Sequence, residues 1–262
     1  MTFSYPPRLN LAQTPTPLLP LSRLSAQVGG PRIWVKRDDM TGGGVSGNKI
    51  RKLEFSLAKA LQDGCDTVIT CGGVQSNHCR TTALLCAQLG LRCHLILRGS
   101  EDSEPDGNLL LDRLVGAEIS FYSNADFQNR SDDIYQQWVD HYAAKGSKAM
   151  LIPVGASDGI GLWGYIAACE ELKADFAREN IQPKHIVTAT GSGGTQAGLT
   201  VGNVLHTLNA SVWGINVCDD EQYFLNKVSE DILQWHQWYK PQIDATFDPE
   251  QLVINVIDGY VG

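Results

Sequence analysis

Residues 66–97 read DTVITCGGVQSNHCRTTALLCAQLGLRCHLIL, and this stretch is the clearest indication of the fold. A β-branched run ends at a pair of glycines, an Ala/Leu-rich segment at 81–89 closes at Gly90, and a second apolar run begins at Cys93. Strand, helix and strand in this order are typical of two parallel strands joined by a helical crossover. The stretch therefore predicts an α/β fold.

The same alternation extends through the rest of the chain. Further strands are predicted at residues 33–36, 118–122, 149–153, 185–189, 212–217 and 253–257. Further helices are predicted at residues 109–115, 133–144, 161–179 and 197–208. This alternation favours mainly parallel sheets covered by helices.

Composition and charge exclude several classes of partner. The 262 residues are 43% hydrophobic and 19% charged, which is typical of globular proteins. The net charge of −8, with both signs mixed along the chain, provides no basic surface for nucleic acid. Because neither a secretory signal nor a run of about 20 apolar residues is present, we expect a cytoplasmic protein outside the membrane. Seven cysteines without a C-x-x-C pair predict reduced thiols and no metal site.

The first candidate site segment is residues 42–52, GGGVSGNKIRK. Four glycines in six residues let the backbone approach a ligand closely, and N–H groups that enter a helix at Asn48 suit an anion. Lys49 can neutralise a phosphate, or it can be a nucleophilic amine whose pKa is lowered by burial or by the nearby charges of Arg51 and Lys52. A solvated surface lysine is the third interpretation.

The second segment is the polar run Gln75-Ser76-Asn77-His78 between a predicted strand and a predicted helix. Ligands of open α/β sheets bind beyond the carboxyl ends of the strands, where this turn lies. Helix capping by Ser or Asn explains one of the four polar positions. The other positions favour a ligand-binding loop.

The third segment is the turn at residues 190–198, TGSGGTQAG. Its N–H groups and the hydroxyls of Ser192 and Thr195 predict a phosphate site at a helix N-terminus. No Gly-Lys-Ser/Thr follows, which excludes a P-loop, and Gln196 replaces the third glycine of the dinucleotide fingerprint read from Gly191. A purely conformational role of the glycines is the alternative.

Together the three segments supply what pyridoxal phosphate requires, namely an anion site, an amine for a Schiff base, and polar groups for the ring and the substrate carboxylate. With this combination the chain resembles the D-cysteine desulfhydrase and 1-aminocyclopropane-1-carboxylate deaminase family, pyridoxal phosphate enzymes of the tryptophan-synthase-β fold type. The likeness is carried by residues 14–18, 36–39, 47–54, 75–78 and 190–195.

The resemblance implies a role for each candidate residue. Lys49 would form the Schiff base, Lys52 would contact the phosphate, and Ser76 would act as acid or base at a substrate carbon. Asn77 would bind the ring hydroxyl of the cofactor. The substrate would be contacted by Gln75, Ser76, Asn77 and His78. The phosphate would be held by Gly191, Ser192, Gly193, Gly194 and Thr195.

The resemblance further implies a lyase or deaminase that acts on a small amino acid. His78 stands where the deaminases have glutamine, which favours conversion of D-cysteine to pyruvate, sulfide and ammonia. Deamination of 1-aminocyclopropane-1-carboxylate and L-cysteate sulfo-lyase activity remain alternatives. A nicotinamide-dependent oxidoreductase that uses Asp219 or Asp220 for a ribose, and a shortened non-catalytic paralogue or binding protein, are the alternatives of other classes.

The architecture implied by the resemblance is two three-layer α/β domains with the cofactor in the cleft between them. The large domain would consist of residues 1–48 with 162–262 and the small domain of residues 49–161, and the protein would be a homodimer. The chain ends soon after its last predicted strand, although such a strand normally leads into a covering helix. We therefore expect a fragment or a shortened variant, without the family's later segment that holds a substrate tyrosine and the partner of the pyridine nitrogen.

Overall fold

The computed structural model describes residues 2–102 and 105–261. The strands are β1 (Leu18–Pro20), β2 (Trp34–Lys36), β3 (Thr67–Gly73), β4 (Arg92–Arg98), β5 (Glu118–Tyr122), β6 (Ala149–Leu151), β7 (His185–Thr190), β8 (Ser211–Asn216) and β9 (Asn255–Ile257). The helices are α1 (Ser22–Val28), α2 (Lys49–Gln62), α3 (Asn77–Leu89), α4 (Gly107–Leu114), α5 (Asn124–Ala144), α6 (Trp163–Arg178), α7 (Gly194–Leu205) and α8 (Glu221–Tyr239).

Two parallel sheets form the framework of the described residues. The first has the strand order β5-β4-β3-β6 and the second has the order β7-β8-β9, while β1 and β2 form a separate antiparallel pair. The stretch at residues 66–97 becomes β3, α3 and β4, with Thr67 aligned with Arg92. The α/β class with mainly parallel sheets is confirmed.

The two parallel sheets come from different parts of the chain. Strands β3 to β6 fall within residues 49–161, and strands β7 to β9 fall within residues 162–262. This distribution agrees with the expected division into two domains, which itself stays a prediction. No helix among the described residues is long and apolar enough to span a bilayer.

Helix boundaries differ from the prediction where a serine caps the helix. Helix α3 begins at Asn77 instead of residue 81, because the Ser76 hydroxyl accepts the N–H of Cys79. Helix α5 begins at Asn124 instead of residue 133, because the Ser123 hydroxyl accepts an N–H in the same way. Capping satisfies a backbone donor that a helix otherwise leaves unpaired at its start.

Helix α8 was not predicted from the sequence. Asp220 caps its first turn by accepting the N–H of Tyr223. Its buried apolar residues are Phe224, Val228, Ile232 and Trp235. These residues follow one another at intervals of three and four, the period of an amphipathic helix, so the sequence did contain the signal.

Helix α2 is packed tightly against α6, which fixes the position of Lys49. A Cβ atom on Gly164 would lie 2.4 Å from the carbonyl oxygen of Arg51, so only glycine permits this approach. The Arg51 guanidinium is fully buried and donates to Asp38 Oδ1 at 2.8 Å and to Glu171 Oε1 at 2.7 Å. The helix that begins at Lys49 is therefore held by close packing and by ion pairs.

Candidate active site

A cavity of about 230 Å³ lies where the three predicted segments converge. The N-terminal ends of α2 and α3 line it with Lys49, Asn77 and His78, and the cap residue Ser76 lines it as well. The turn before α7 and the first turn of that helix line it with Gly191, Ser192, Gly193 and Thr195. Three residues predicted for the site do not line it, namely Lys52, Gln75 and Gly194. Segments far apart in the sequence thus form one site.

Lys49 is the first residue of α2. Two successive hydrogen bonds connect its side chain to Thr195 in the first turn of α7. Its Nζ donates to Asn48 Oδ1 at 2.9 Å, and Asn48 Nδ2 donates to Thr195 Oγ1 at 3.0 Å. Burial, together with the charge of Arg80, lowers the pKa of Lys49. Because the neutral amine is the nucleophilic form, the site favours the reactive state of this lysine.

Arg80 is a cation beside Lys49 that the sequence did not indicate, and Lys49 and Lys52 also repel each other, so of the predicted charges only that of Arg51 is directed elsewhere. Arg80 Nη2 donates to the carbonyl oxygen of Ser46 at 2.8 Å, so the guanidinium lies beside the lysine loop. Arg51 is two residues beyond Lys49, and residues two apart on a helix do not face each other. Its charge is instead paired with the carboxylates that join α2 to α6.

Lys52 is fully buried behind the turn before α7. Its Nζ lies 3.5 Å from Ser157 Oγ, and burial with the nearby charge of Lys49 holds the pKa of Lys52 well below its ordinary value. An ammonium group in such a place is costly unless an anion accompanies it. The surroundings of Lys52 therefore call for a bound anion.

Ser157 connects Lys52 to the glycine turn. The Ser157 hydroxyl donates to Ser192 Oγ at 2.9 Å and accepts the N–H of Gly194 at 3.1 Å. The turn leads into α7, a helix of twelve residues whose positive N-terminal end favours anions. The hydroxyls, the helix end and Lys52 together are suited to hold an anion.

Ser76 both caps α3 and lines the cavity. Its Oγ accepts the N–H of Cys79 at 3.2 Å, which leaves the hydroxyl proton free to be donated. A Cβ atom on Gly72 would lie 2.6 Å from Ser76 Oγ, so the glycine makes room for this serine. Helix capping and a role in the site are therefore compatible at one residue.

Asn108, at the start of α4, holds the polar loop in place. Its Nδ2 donates to the carbonyl oxygen of Gln75 at 2.7 Å and to Asn77 Oδ1 at 3.0 Å, and its N–H donates to Gln75 Oε1 at 2.8 Å. The Gln75 side chain is thus directed to the start of α4, while Asn77 lines the cavity. Substrate contact by Gln75 stays a prediction that this placement does not favour.

His78 is neutral and its tautomer follows from its contacts. The Thr70 hydroxyl donates to the carbonyl oxygen of Ile152 at 2.7 Å, so it must accept from His78 Nε2, which lies 2.7 Å away. Burial and the charges of Lys52 and Lys49 hold the pKa of His78 well below its ordinary value. Its Nδ1 is then an acceptor, buried without a hydrogen-bond partner among the described residues.

Arg80, Asn108 and Ser157 were not selected from the sequence. Ser157 lies in the run VGASDG at residues 154–159, just after a predicted strand, and this position was a usable signal. Arg80 and Asn108 lie within helices α3 and α4, where polar residues are ordinarily solvated. Only the fold shows that these two contact the segments that form the site.

The cavity thus combines a lysine of lowered pKa with neighbouring groups that are suited to an anion. Residues 9–262 match the family described as pyridoxal-phosphate dependent enzyme. The chain belongs to this family, and its cofactor is pyridoxal phosphate.

Two relatives with named activities are similar to most of this chain. A mitochondrial bifunctional D-cysteine desulfhydrase/1-aminocyclopropane-1-carboxylate deaminase of Arabidopsis thaliana is 43% identical over 227 residues, which cover 84% of this chain and 56% of the relative. A D-cysteine desulfhydrase of Serratia proteamaculans is 40% identical over 204 residues, which cover 75% of this chain and 60% of the relative. The chain thus spans just over half the length of these relatives.

A solved structure of a 1-aminocyclopropane-1-carboxylate deaminase homologue superposes with a TM-score of 0.81. It is 33% identical, and the match covers 97% of this chain and 74% of the homologue. A solved threonine deaminase, with a TM-score of 0.59 and 22% identity, shares the fold, and the match covers 77% of this chain and 59% of that enzyme.

The residues present fit pyridoxal phosphate. The cofactor needs an amine for its aldehyde and an anion site for its phosphate. The cavity offers the amine of Lys49, whose pKa is lowered. The buried Lys52 and the N-terminus of α7 offer the anion site, joined through Ser157.

Proposed function

We propose that this chain is a carbon–sulfur lyase that converts D-cysteine to pyruvate, sulfide and ammonia. The observation that carries the proposal is the cavity in which Lys49, with its lowered pKa, shares a wall with Ser76 and with the turn before α7. The names of the Arabidopsis and Serratia relatives support D-cysteine as the substrate. Deamination of 1-aminocyclopropane-1-carboxylate is the second candidate, because the Arabidopsis relative is named for both activities.

Bound pyridoxal phosphate acts as an electron sink that makes the α-proton of an attached amino acid acidic. Lys49 is proposed as the residue that carries the cofactor. Its Nζ, held by Asn48 and with a pKa lowered by burial and by Arg80, can accept a proton from the substrate α-carbon. The lowered pKa brings this amine closer to the neutral pH at which a general base works best.

Ser76 is proposed as the second catalytic residue. Because its Oγ already accepts the N–H of Cys79, its orientation is fixed and its own proton can be given to a leaving group or to a substrate carbon. Asn77, anchored through its Oδ1 by Asn108, keeps its Nδ2 group for the cofactor ring hydroxyl or the substrate. The neutral His78 is proposed to face the substrate without adding charge.

The cofactor phosphate is proposed to bind Lys52 and the turn of Gly191, Ser192, Gly193, Gly194 and Thr195. The helix end and the hydroxyls of the turn orient the phosphate, and Lys52 supplies the counter-charge. Lys49, which lines the same cavity, would then be the amine available to the cofactor aldehyde. The contacts of Ser157 with Lys52 and Gly194 support this arrangement.

We also propose a homodimer, two domains composed of residues 1–48 with 162–262 and of residues 49–161, and a cytoplasmic location. The resemblance to the desulfhydrase and deaminase family supports the dimer and the domains. Light scattering coupled to gel filtration tests the dimer, and a mass equal to one chain contradicts it. The cytoplasmic location stays a prediction, which cell fractionation tests.

Product assays on the reconstituted protein test the activity. We expect release of sulfide, ammonia and a 2-oxo acid from D-cysteine, and no release by the Lys49→Ala variant. Parallel assays with 1-aminocyclopropane-1-carboxylate and L-cysteate separate the candidate substrates. A protein that binds the cofactor and releases no product from D-cysteine contradicts the desulfhydrase proposal and leaves the cofactor site standing.

A further inference from the structure

Helix α8 places a second lysine behind the turn before α7. Lys227 Nζ donates to the carbonyl oxygen of Ser157 at 3.2 Å and forms an ion pair with Asp231 one helical turn further on. The hydroxyl of the same Ser157 contacts Lys52 and accepts the N–H of Gly194. Ser157 therefore lies between two lysine amines, one from α2 and one from α8.

Lys227 also packs directly on the glycine turn. Gly193 has a φ of +85°, and a Cβ atom there would lie 3.3 Å from Lys227 Cγ and 3.5 Å from Asp231 Oδ2. Gly193 itself lines the cavity. Only one residue thus separates the stem of Lys227 from the space in which the phosphate is proposed to bind.

A phosphate bound at the turn would carry more negative charge than Lys52 alone can balance. A phosphate monoester carries close to two negative charges at pH 7, and Lys52 can balance one of them. Asp231 Oδ2 is buried without a hydrogen-bond partner among the described residues. Burial raises the pKa of Asp231 to about 7, against the opposing effect of Lys227, so this carboxyl neutralises Lys227 less completely than an exposed carboxylate would. Lys227 therefore keeps part of its charge for a bound anion.

We propose that Lys227, oriented by Asp231, is a second cationic residue of the phosphate site and acts through Ser157 and the turn at Gly193. The inference rests on the proposed role of this turn in holding the cofactor phosphate. It adds helix α8, which the sequence did not predict, to the elements that bind the cofactor. Lys227 is a positioning residue, because Ser157 and Gly193 stand between it and the cavity.

The test compares ligands with and without a phosphate. Lys227→Gln removes the charge and keeps a donor toward Asp231, and Lys227→Met keeps the apolar stem on Gly193. Removing one charge at short range should weaken pyridoxal phosphate binding roughly tenfold, as measured by absorbance titration of the apoprotein. Binding of pyridoxal, which lacks the phosphate, should not change. Inorganic phosphate should compete less well with pyridoxal phosphate in both variants.

Two controls accompany these variants. Lys227→Arg keeps the charge and should retain most of the affinity for pyridoxal phosphate. Lys240→Gln makes the same change at an exposed lysine about 20 Å further along the axis of α8, and it should have no effect. Circular dichroism confirms that each variant is folded.

Three results would overturn the inference. Unchanged affinity for pyridoxal phosphate in the folded Lys227→Gln or Lys227→Met variant excludes an electrostatic role. An equal loss of affinity for pyridoxal and for pyridoxal phosphate shows that Lys227 supports the conformation of the turn and does not act through its charge. If the wild-type protein binds pyridoxal phosphate no more tightly than pyridoxal, the proposed phosphate site is contradicted as well. This outcome can be distinguished from the first two.

Discussion

Arg51 Nη1 donates to Glu171 Oε1 at 2.7 Å, and this ion pair joins the helix that begins at Lys49 to helix α6. The same guanidinium donates to Asp38 Oδ1 at 2.8 Å, and it is fully buried. A buried arginine with two carboxylate partners fixes the direction of α2. Lys49 is thus positioned by a charged network that does not touch the cavity.

Loss of this network should destabilise the fold. Arg51→Met leaves Asp38 without its ion-pair partner and Glu171 paired with Lys36 alone, and removal of one member of a buried pair costs about 3–5 kcal/mol. Urea unfolding of the apoprotein measures the loss. The matched control is Arg37→Met, which removes the exposed pair with Asp39 and should leave the unfolding midpoint unchanged. Equal effects of the two substitutions would contradict the assigned role of Arg51.

The pH at which Lys49 reacts should depend on Arg80. Because the charge of Arg80 lowers the pKa of Lys49, Arg80→Gln should raise it and move the reaction of the apoprotein with pyridoxal to higher pH. The pH midpoint of borohydride-trapped pyridoxal reports the change. Arg80→Lys keeps a positive charge and should stay near the wild-type midpoint. A midpoint that Arg80→Gln leaves in place would exclude the guanidinium as the cause.

Asp112 should make stability fall as the pH rises. Burial raises the pKa of Asp112 to about 7, against the opposing charge of Arg80, and neither carboxylate oxygen has a hydrogen-bond partner among the described residues. The unfolded chain releases this proton near pH 4, so between about pH 4 and 7 the folded state binds more protons and loses stability with increasing pH.

The Asp112→Asn variant isolates this effect. It should match the wild type near pH 4, where the carboxyl is largely protonated in both the folded and the unfolded state, and it should be more stable at pH 8 by about 3–4 kcal/mol, which follows from the difference between the two pKa values. Thermal unfolding at both pH values measures the difference. A variant that is less stable than the wild type at pH 8 would show that the ionised Asp112 is stabilised by its surroundings.

Substitution by alanine should affect stability differently at two glycines of the turn. A Cβ atom on Gly194 would lie 2.7 Å from Ser157 Oγ and 2.9 Å from Ser157 Cα, so Gly194→Ala forces the turn away from the serine. Such overpacking costs about 1–3 kcal/mol, and we expect weaker cofactor binding as well. At Gly191 the nearest atom, Val217 Cγ2, is 3.6 Å away, so Gly191→Ala should leave the stability of the apoprotein unchanged. Similar unfolding midpoints for the two variants would contradict this packing.

The sequence predicted β3, α3 and β4 well because their apolar residues follow the periods of a buried strand and a helix. It missed the early start of α3, where Ser76 caps the helix, and it missed α8 although Asp220 and the apolar spacing from Phe224 to Trp235 were present. Local hydrogen bonds from single side chains decide where a helix begins, and hydrophobic periodicity does not report them.

The sequence by itself determined the α/β class, the three segments of the site and the choice of Lys49 as the candidate amine. It did so because residue types and their spacing are local properties of a chain. Only the tertiary structure decided which charge acts on Lys49, which residues hold the polar loop, and which hydroxyl and lysine stand behind the glycine turn. Arg80, Asn108, Ser157 and Lys227 act through distances of a few ångströms between segments far apart in the chain, and such distances are set by packing.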